Sequence, residues 1–337
     1  MNNNLYVISG ITGMTGNELS RQIISEQDTS EIIGFDNFFC SSINTIADTL
    51  NNSRMHFFEY DLNNEKQMVQ VEEYVNRIKA QFDKVIYINC AAVVHTEYFY
   101  KVDATFETNV LGMKSFLEQA IRVGAYAFIN CSTSEVYSMN SWSENGVKED
   151  DYIHLATCEH SQRTSYATGK LMTEFFMKDA VDAGKIMGCS LRFANVYSRD
   201  ELVPKHIIPH ILISINDTGK VVLLENSKKN KRTFLHNIDS CRAVLKLIAT
   251  GKKALDGTVY NVATDEEISI IDLVKLCGRK LGYDDVEIVF NGYRKSDPQR
   301  RYLNIDKIKE RAGWTPVVTL EEGIEMCVEK LKKSQQS

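Results

Sequence analysis

Six short apolar runs, Leu5 to Ser9, Ile32 to Phe35, Met55 to Tyr60, Val85 to Cys90, Ala127 to Cys131 and Cys189 to Phe193, punctuate the first two hundred residues. Each has strand length, and stretches with helical spacing separate most of them. Parallel strands covered on both faces read as continuous apolar runs rather than as alternating ones, so the pattern predicts beta-alpha repeats and a buried parallel sheet. The expected fold class is α/β, a Rossmann-type doubly wound parallel sheet. Val102, Phe106, Val110, Met113, Leu117 and Ile121 recur every three or four residues and predict a helix whose stripe packs on the core, part of it free to face a second subunit. All four prolines lie beyond residue 200, which leaves the beta-alpha core uninterrupted.

After Val196 the rhythm changes. Helical stretches near Pro204 to Ile215, Asp239 to Thr250, Ser269 to Leu281 and Leu320 to Leu331 alternate with isolated strands at Val221 to Leu224, Thr258 to Val262 and Val286 to Phe290. A smaller α/β C-terminal domain is expected. The division falls at 1–196 and 197–337, with 232–250 returning to the first domain.

A net charge of -6 and a pI near 5.7 argue against a general nucleic-acid binder, which concentrates basic surface. The one basic cluster, Lys228, Lys229, Lys231 and Arg232, is short. Eight cysteines without a C-x-x-C pair read as buried thiols in a reducing compartment. The first residues carry no basic n-region, and Val85 to Val94 is half the length of a membrane span, so a cytoplasmic protein off the membrane is expected. His154 and His160, six apart without further ligands, do not make a metal site. They read as solvated loop residues, and the surrounding segment, Ser141 to Gln162, has no assigned role.

The first run leads directly into Gly10-Ile-Thr-Gly13-Met14-Thr15-Gly16, followed by a helical stretch. Glycines there let backbone N–H groups approach a pyrophosphate, and the helix N-terminus adds partial positive charge. Asp36 ends the second run twenty residues past Gly16, where a carboxylate accepts hydrogen bonds from ribose hydroxyls and repels a 2′-phosphate. NAD is therefore favoured over NADP, the bland alternative being that Asp36-Asn37 caps a loop. Asp61-Leu62 after the third run would lie near the adenine. Ala91-Ala92 after the fourth would let the cofactor pass closely.

Among fifteen tyrosines, a lysine four residues on arises roughly once by chance, so Tyr166-x-x-x-Lys170 matters through its position. On a helix the two share a face, and a neighbouring ammonium stabilises a phenolate relative to the ordinary phenol near pH 10. Thr133, ending the fifth run, offers a hydroxyl for the same substrate oxygen. The set suits removal of a proton from a sugar hydroxyl while its carbon gives up a hydride.

In order along the chain, Gly10/Gly13/Gly16, Asp36, Asp61-Leu62, Ala91-Ala92, Asn109, Ser132-Thr133, Tyr166/Lys170, Leu191 to Tyr197, Arg232 with Asp239, Tyr260-Asn261-Val262, Asp297-Pro298 and Gly313-Trp314-Thr315-Pro316 resemble an extended short-chain dehydrogenase/reductase. The group is that of the NAD-dependent nucleotide-sugar epimerases and dehydratases. The resemblance implies an NAD-binding first domain, with Asn109 and Phe193 joining the cofactor set, and a nucleotide-sugar-binding second domain. It further implies that Asn195 and Arg232 hold a diphosphate, with Arg294 or Arg301 a further phosphate contact. Thr133-Ser134-Glu135 resembles the UDP-glucuronate decarboxylases and GDP-mannose 4,6-dehydratases. There Glu135 would be a second acid/base, or Ser134, Glu135 and Arg232 would surround a departing carboxylate. The alternative for Glu135 is a structural carboxylate. Ser138 and Ser198 stand where the group has glycines. A homodimer, built from the Val102 to Ile121 helix and the one bearing Tyr166, is also implied. Two other readings are a net NAD(P)-dependent reductase or dehydrogenase, and a non-catalytic NAD- or nucleotide-binding protein.

Overall fold

A computed structural model of the chain describes residues 3–94, 96–140, 144–161, 164–200, 206–295 and 297–334. Six strands, β1 (Asn4–Ser9), β2 (Glu31–Asp36), β3 (Met55–Glu59), β4 (Lys84–Asn89), β5 (Ala127–Thr133) and β6 (Met187–Phe193), lie where the apolar runs predict them. Three later strands, β7 (Asn195–Tyr197), β8 (Lys220–Leu223) and β9 (Lys231–His236), leave that sheet, and β10 (Asp256–Val262) comes back to it. The resulting seven-stranded sheet runs β10-β6-β5-β4-β1-β2-β3, every neighbouring pair parallel. Strand order reverses on either side of β1. At such a switch point the loops leaving β1 and β4 diverge to opposite faces and open a crevice at the carboxyl ends of the strands.

Both faces are covered. Helices Met14–Glu26 and Asn237–Thr250 bury Leu19, Ile23, Val244 and Leu247 on one side. Helices Glu65–Ile78, Met113–Arg122 and Thr164–Asp182 bury Val71, Val75, Phe116, Leu117 and Met177 on the other. Phe116 anchors that second layer, with Phe35 edge-on at 5.5 Å and Tyr87 at 4.9 Å. The expected Val102 to Ile121 helix is divided. An α segment, Val102–Phe106, passes through a π-helical turn, Glu107–Gly112, before Met113–Arg122. Gly112 sits so close to Leu62 and Asn63 that a Cβ would lie 2.9 Å from the Asn63 carboxamide oxygen. Val110, Met113 and Leu117 therefore face the core, whereas Val102 and Phe106 stand half exposed, at 49% and 50%.

The second unit is built from β7, β9, β11 (Glu267–Ser269) and β13 (Arg300–Arg301) in one small sheet, and from β8 paired with β12 (Glu287–Phe290). Helices Ile207–Thr218, Ile270–Leu281 and Leu320–Ser334 enclose its core. Pro204, expected in the first of these helices, lies outside the described residues. Two expectations about the division are corrected. The strand read as isolated at Thr258 to Val262 is the edge strand of the large sheet, because its apolar residues register against Ser190 to Phe193. The returning segment 232–250 is split: β9 stays in the small sheet, while Asn237–Thr250 packs on helix Met14–Glu26. β7, β11 and β13, at two or three residues, are too short to leave a periodic signal.

His236 joins the two units. Its Nδ1 accepts from the Ile238 N–H (3.3 Å), capping helix Asn237–Thr250, and its ring meets Tyr197 edge-on at 5.1 Å. Burial pushes its pKa down to about 4 from the ordinary 6.5, so the ring folds neutral. A depressed histidine pKa means the unfolded chain binds the extra proton between those values. Its stabilisation is then complete above about pH 6.5 and lost as pH falls towards 4. Chemical denaturation should show wild-type losing about 3 kcal/mol more than His236→Asn over that window.

Candidate active site

The cleft at the switch point is walled by Gly10, Gly13, Met14, Thr15, Gly16, Asp36, Asn37, Asp61, Leu62, Ala91 and Ala92, all expected from the sequence. Gly10 has φ +68°, and a Cβ on it would lie 2.6 Å from the Ala91 nitrogen, so only glycine lets the loops from β1 and β4 approach. A Cβ on Gly16 would lie 2.4 Å from the Gly10 carbonyl oxygen, inside the first turn of the helix. A glycine-rich loop opening onto a helix N-terminus fits a dinucleotide pyrophosphate. Asp36 meets both readings of it. Its carboxylate lines the cleft and also accepts from the Thr12 N–H (3.2 Å) and the Phe38 N–H (2.9 Å), holding Phe38 at φ 58°. Asn37 donates to Asp61 (3.0 Å), and both wall the cleft.

Two residues expected at the cofactor do not wall the cleft. Asn109 is fully buried, and both ends of its carboxamide are spent on Val93, accepting from its N–H (2.7 Å) and donating to its carbonyl (3.2 Å). It shapes the loop after β4 from beneath. Phe193 is 8% exposed and packs in the core under β6 instead of walling the cleft. The sequence reading missed Tyr60, Asn63 and Thr108, which also wall the cleft. Asn63 and Thr108 are joined at 3.0 Å, and neither carries a local signal.

Tyr166 and Lys170 occupy the first two turns of helix Thr164–Asp182, and both are buried. Lys170 Nζ donates to the Cys131 carbonyl (2.8 Å), and burial pushes its pKa below the ordinary lysine range. Thr133 ends β5, and its hydroxyl accepts from the Glu135 N–H (3.2 Å). Ser134 is buried behind it. Beneath these groups lies a dry ionic network. Arg192 grips the Glu174 carboxylate at 2.6 Å and 3.0 Å, and the Ser132 hydroxyl donates to the same carboxylate (2.5 Å). Arg192 also donates to the Tyr137 hydroxyl, which donates to Asn261 Oδ1 (3.0 Å).

A small pocket beside Tyr166 is lined by Glu135, Ser138, Thr164, Ala167, Asp297 and Arg301, among others. Arg301 Nη1 donates to Glu135 Oε1 (2.8 Å) with both side chains largely buried, while its Nε has no partner. Arg232 Nη2 likewise faces Asp297 (3.3 Å), whose other oxygen accepts from Asn230 (2.6 Å). Asn195 donates to the Thr233 carbonyl (3.2 Å). Arg294 does not join this group. It is exposed, its backbone N–H bonded to Asn226 (2.8 Å).

In segment 144–161 His154 and His160 are exposed loop residues as expected, whereas Val147 and Glu149 are buried; residues 141–143 and 162 lie outside the described chain. Val147 bridges to Leu303 beside β13, and Glu149 accepts from the Asn261 N–H (2.8 Å). Burial raises the Glu149 pKa. Further on, Ala156 and Ser161 reach the pocket. His154 and His160 hold turns: the His154 N–H donates to Asn140 (2.9 Å), and His160 Nδ1 lies 3.0 Å from the Thr157 hydroxyl. Among the described residues no cluster of metal-ligating side chains occurs.

Cofactor cleft, buried Tyr-Lys pair and adjoining arginine-lined pocket define a dinucleotide-dependent enzyme of the Rossmann class. More narrowly, the chain belongs to the GDP-mannose 4,6-dehydratase family, whose model matches residues 7–327. UDP-glucuronic acid decarboxylase 6 of Arabidopsis thaliana is 24% identical over 97% of this chain and 88% of its own. The UDP-glucose 4-epimerase of Thermotoga maritima, solved with UDP-glucose, superposes with a TM-score of 0.83 at 23% identity, covering 98% of this chain and 99% of its own. The dTDP-glucose 4,6-dehydratase of Streptomyces venezuelae, solved with NAD and TYD bound, gives 0.83 at 21% identity, covering 98% of each. At such identity the likeness to solved structures establishes the shared fold.

Gly16→Ala would force the Gly10 carbonyl out of the loop. Calorimetry should then show NAD binding weakened by at least about tenfold with the circular dichroism spectrum retained.

Proposed function

We propose that this protein is an NAD-dependent nucleotide-sugar epimerase, dehydratase or decarboxylase that works through transient oxidation at C4 of the sugar, with Tyr166 as base. The observation that supports the reading most is the burial of Tyr166 and Lys170 one turn apart on helix Thr164–Asp182, whose Thr164 and Ala167 line the small pocket with Glu135 and Arg301. NAD, when bound, supplies the hydride acceptor and later returns the hydride. Gly10 to Gly16 would receive its pyrophosphate and Asp36 its ribose, the carboxylate disfavouring a 2′-phosphate. Tyr166 takes the C4 hydroxyl proton, Lys170 stabilises the resulting phenolate, and the Thr133 hydroxyl orients the same oxygen.

Arg232, Arg301 and Asn195 are assigned to the substrate diphosphate. Both arginines are held by carboxylates, Asp297 and Glu135, and exchanging one anionic partner for a phosphate keeps each guanidinium paired. Glu135 would then be released towards the sugar as the second acid/base. Arg294, being exposed, is a weaker phosphate candidate. A cytoplasmic setting is supported by eight cysteines that are all free. No helix among the described residues is long and apolar enough to cross a membrane.

A homodimer belongs to the same reading. Val102, Phe106 and Leu111 on one helical stretch, and Met172 and Phe175 on helix Thr164–Asp182, are large apolar side chains exposed by 45 to 64%. Two such helices per subunit suit an isologous four-helix interface. Sedimentation should give twice the 38.4 kDa chain mass, and Phe106→Arg with Phe175→Arg should give the monomer.

Incubation with UDP-, GDP-, CDP- and dTDP-hexoses and UDP-glucuronate, without added cofactor, tests the reaction. Mass spectrometry should show loss of water or carbon dioxide from one of them. A product of unchanged mass would remove Glu135 from the chemistry. Tyr166→Phe should lower turnover by at least about a hundredfold with NAD content unchanged, and full activity of that variant would sink the reading.

A further inference from the structure

Tyr166 is not held by its own helix alone. The ring of Phe99 lies on it almost parallel, with 11° between the planes and 4.2 Å between the centroids. That is shorter than the roughly 4.5–7 Å usual for aromatic pairs. Both rings are buried, Phe99 at 3% exposure and Tyr166 at 6%. Phe99 is fixed independently of the contact. Its carbonyl accepts from the Ser165 hydroxyl (2.9 Å), and the carbonyl of Tyr98 beside it accepts from the Lys101 N–H (2.8 Å). The short turn carrying Phe99 follows the loop from β4, which also walls the cofactor cleft. One loop thus touches both the cofactor side and the base.

The torsion that turns a phenol ring about its Cβ–Cγ bond is broad and two-fold, so neither helix geometry nor the side-chain rotamer fixes the ring plane. A flat partner pressed along one face does. We infer that Phe99 is a positioning residue for the reaction: it sets the plane of the Tyr166 ring, and hence the line along which the phenol oxygen meets the sugar hydroxyl. This rests on the reading of Tyr166 as the base. Phe99 touches neither proton nor hydride. Leucine at this position fills the space with a shape that leaves the Tyr166 ring free to rock, whereas tyrosine restores the flat face. The phenol oxygen lies on the Cβ–Cγ axis and stays in place as the ring turns, but its O–H and lone pairs turn with the ring plane, and reacting orbitals out of line with the sugar hydroxyl lower the rate.

The test uses the full chain with bound NAD and three forms, wild type, Phe99→Leu and Phe99→Tyr. The first readout needs no substrate. In protein carrying ¹³C-labelled tyrosine, assigned with Tyr166→Phe, the Tyr166 ring protons should be shifted upfield by the stacked ring in wild type and Phe99→Tyr, and move downfield in Phe99→Leu. Unchanged shifts in Phe99→Leu would overturn the stack. The second readout uses whichever nucleotide sugar of the panel is turned over. Phe99→Leu should lose about tenfold in kcat with KM held within about twofold, and its C4-deuterium isotope effect on kcat should rise as the chemical step becomes limiting. Phe99→Tyr should restore both. Wild-type kcat in Phe99→Leu, or a loss that Phe99→Tyr does not recover, would overturn the inference. Absence of turnover by wild type on the whole panel would instead count against the nucleotide-sugar reading, and the ring shifts would still decide the stack.

Discussion

The buried pair of Glu174 and Arg192 is the interaction on which the catalytic end depends. Glu174 lies one turn beyond Lys170 on the helix that carries Tyr166, and Arg192 lies near the end of β6. With both side chains 5% exposed, the desolvation of two charges is offset only by bidentate geometry and by the further bonds to Ser132 and Tyr137. Loss of either partner would strand a buried charge at a cost of about 3–5 kcal/mol. The pair, with the Ser132 and Lys170 bonds, ties the helix that carries Tyr166 to the ends of β5 and β6. Through Tyr137 and Asn261 the same network reaches β10, and through Glu149 it reaches segment 144–161 and the pocket.

A second constraint is the near contact of β1 and β4 at the switch point. Gly10 lets the two loops meet, since a Cβ there would strike the backbone of Cys90 and Ala91, and Gly16 lets the helix close on its own loop at Gly10 and Ile11. Beyond that narrow place the β4 loop is clamped by Asn109 from below and continues to Phe99 against Tyr166. The cleft and Tyr166 therefore share a support, and Asn109 lies under that loop within the π-helical turn Glu107–Gly112.

Arg301 of the pocket and Arg232 behind its Asp297 wall are held in paired form. Arg301 with Glu135, and Arg232 with Asp297, keep their guanidinium groups neutralised without phosphate, which avoids leaving a largely buried cation uncompensated.

The sequence by itself determined the parallel sheet, the glycine loop, Asp36 at the end of β2 and the Tyr166-Lys170 pair. Each is a local pattern: an apolar run that fits a strand covered on both faces, a spacing of glycines, an acid at a strand end, a four-residue interval on a helix. Only the tertiary structure decided which residues meet across long separations. It joined Glu135 to Arg301, Arg232 to Asp297 and Phe99 to Tyr166, returned Asp256–Val262 to the large sheet, stitched residues 144–161 onto β10 and β13, and withdrew Asn109 and Phe193 from the cofactor wall. Periodicity reports how much of an element is buried and on which face. It carries no record of the partner, because burial against any apolar or complementary surface leaves the same pattern in the chain.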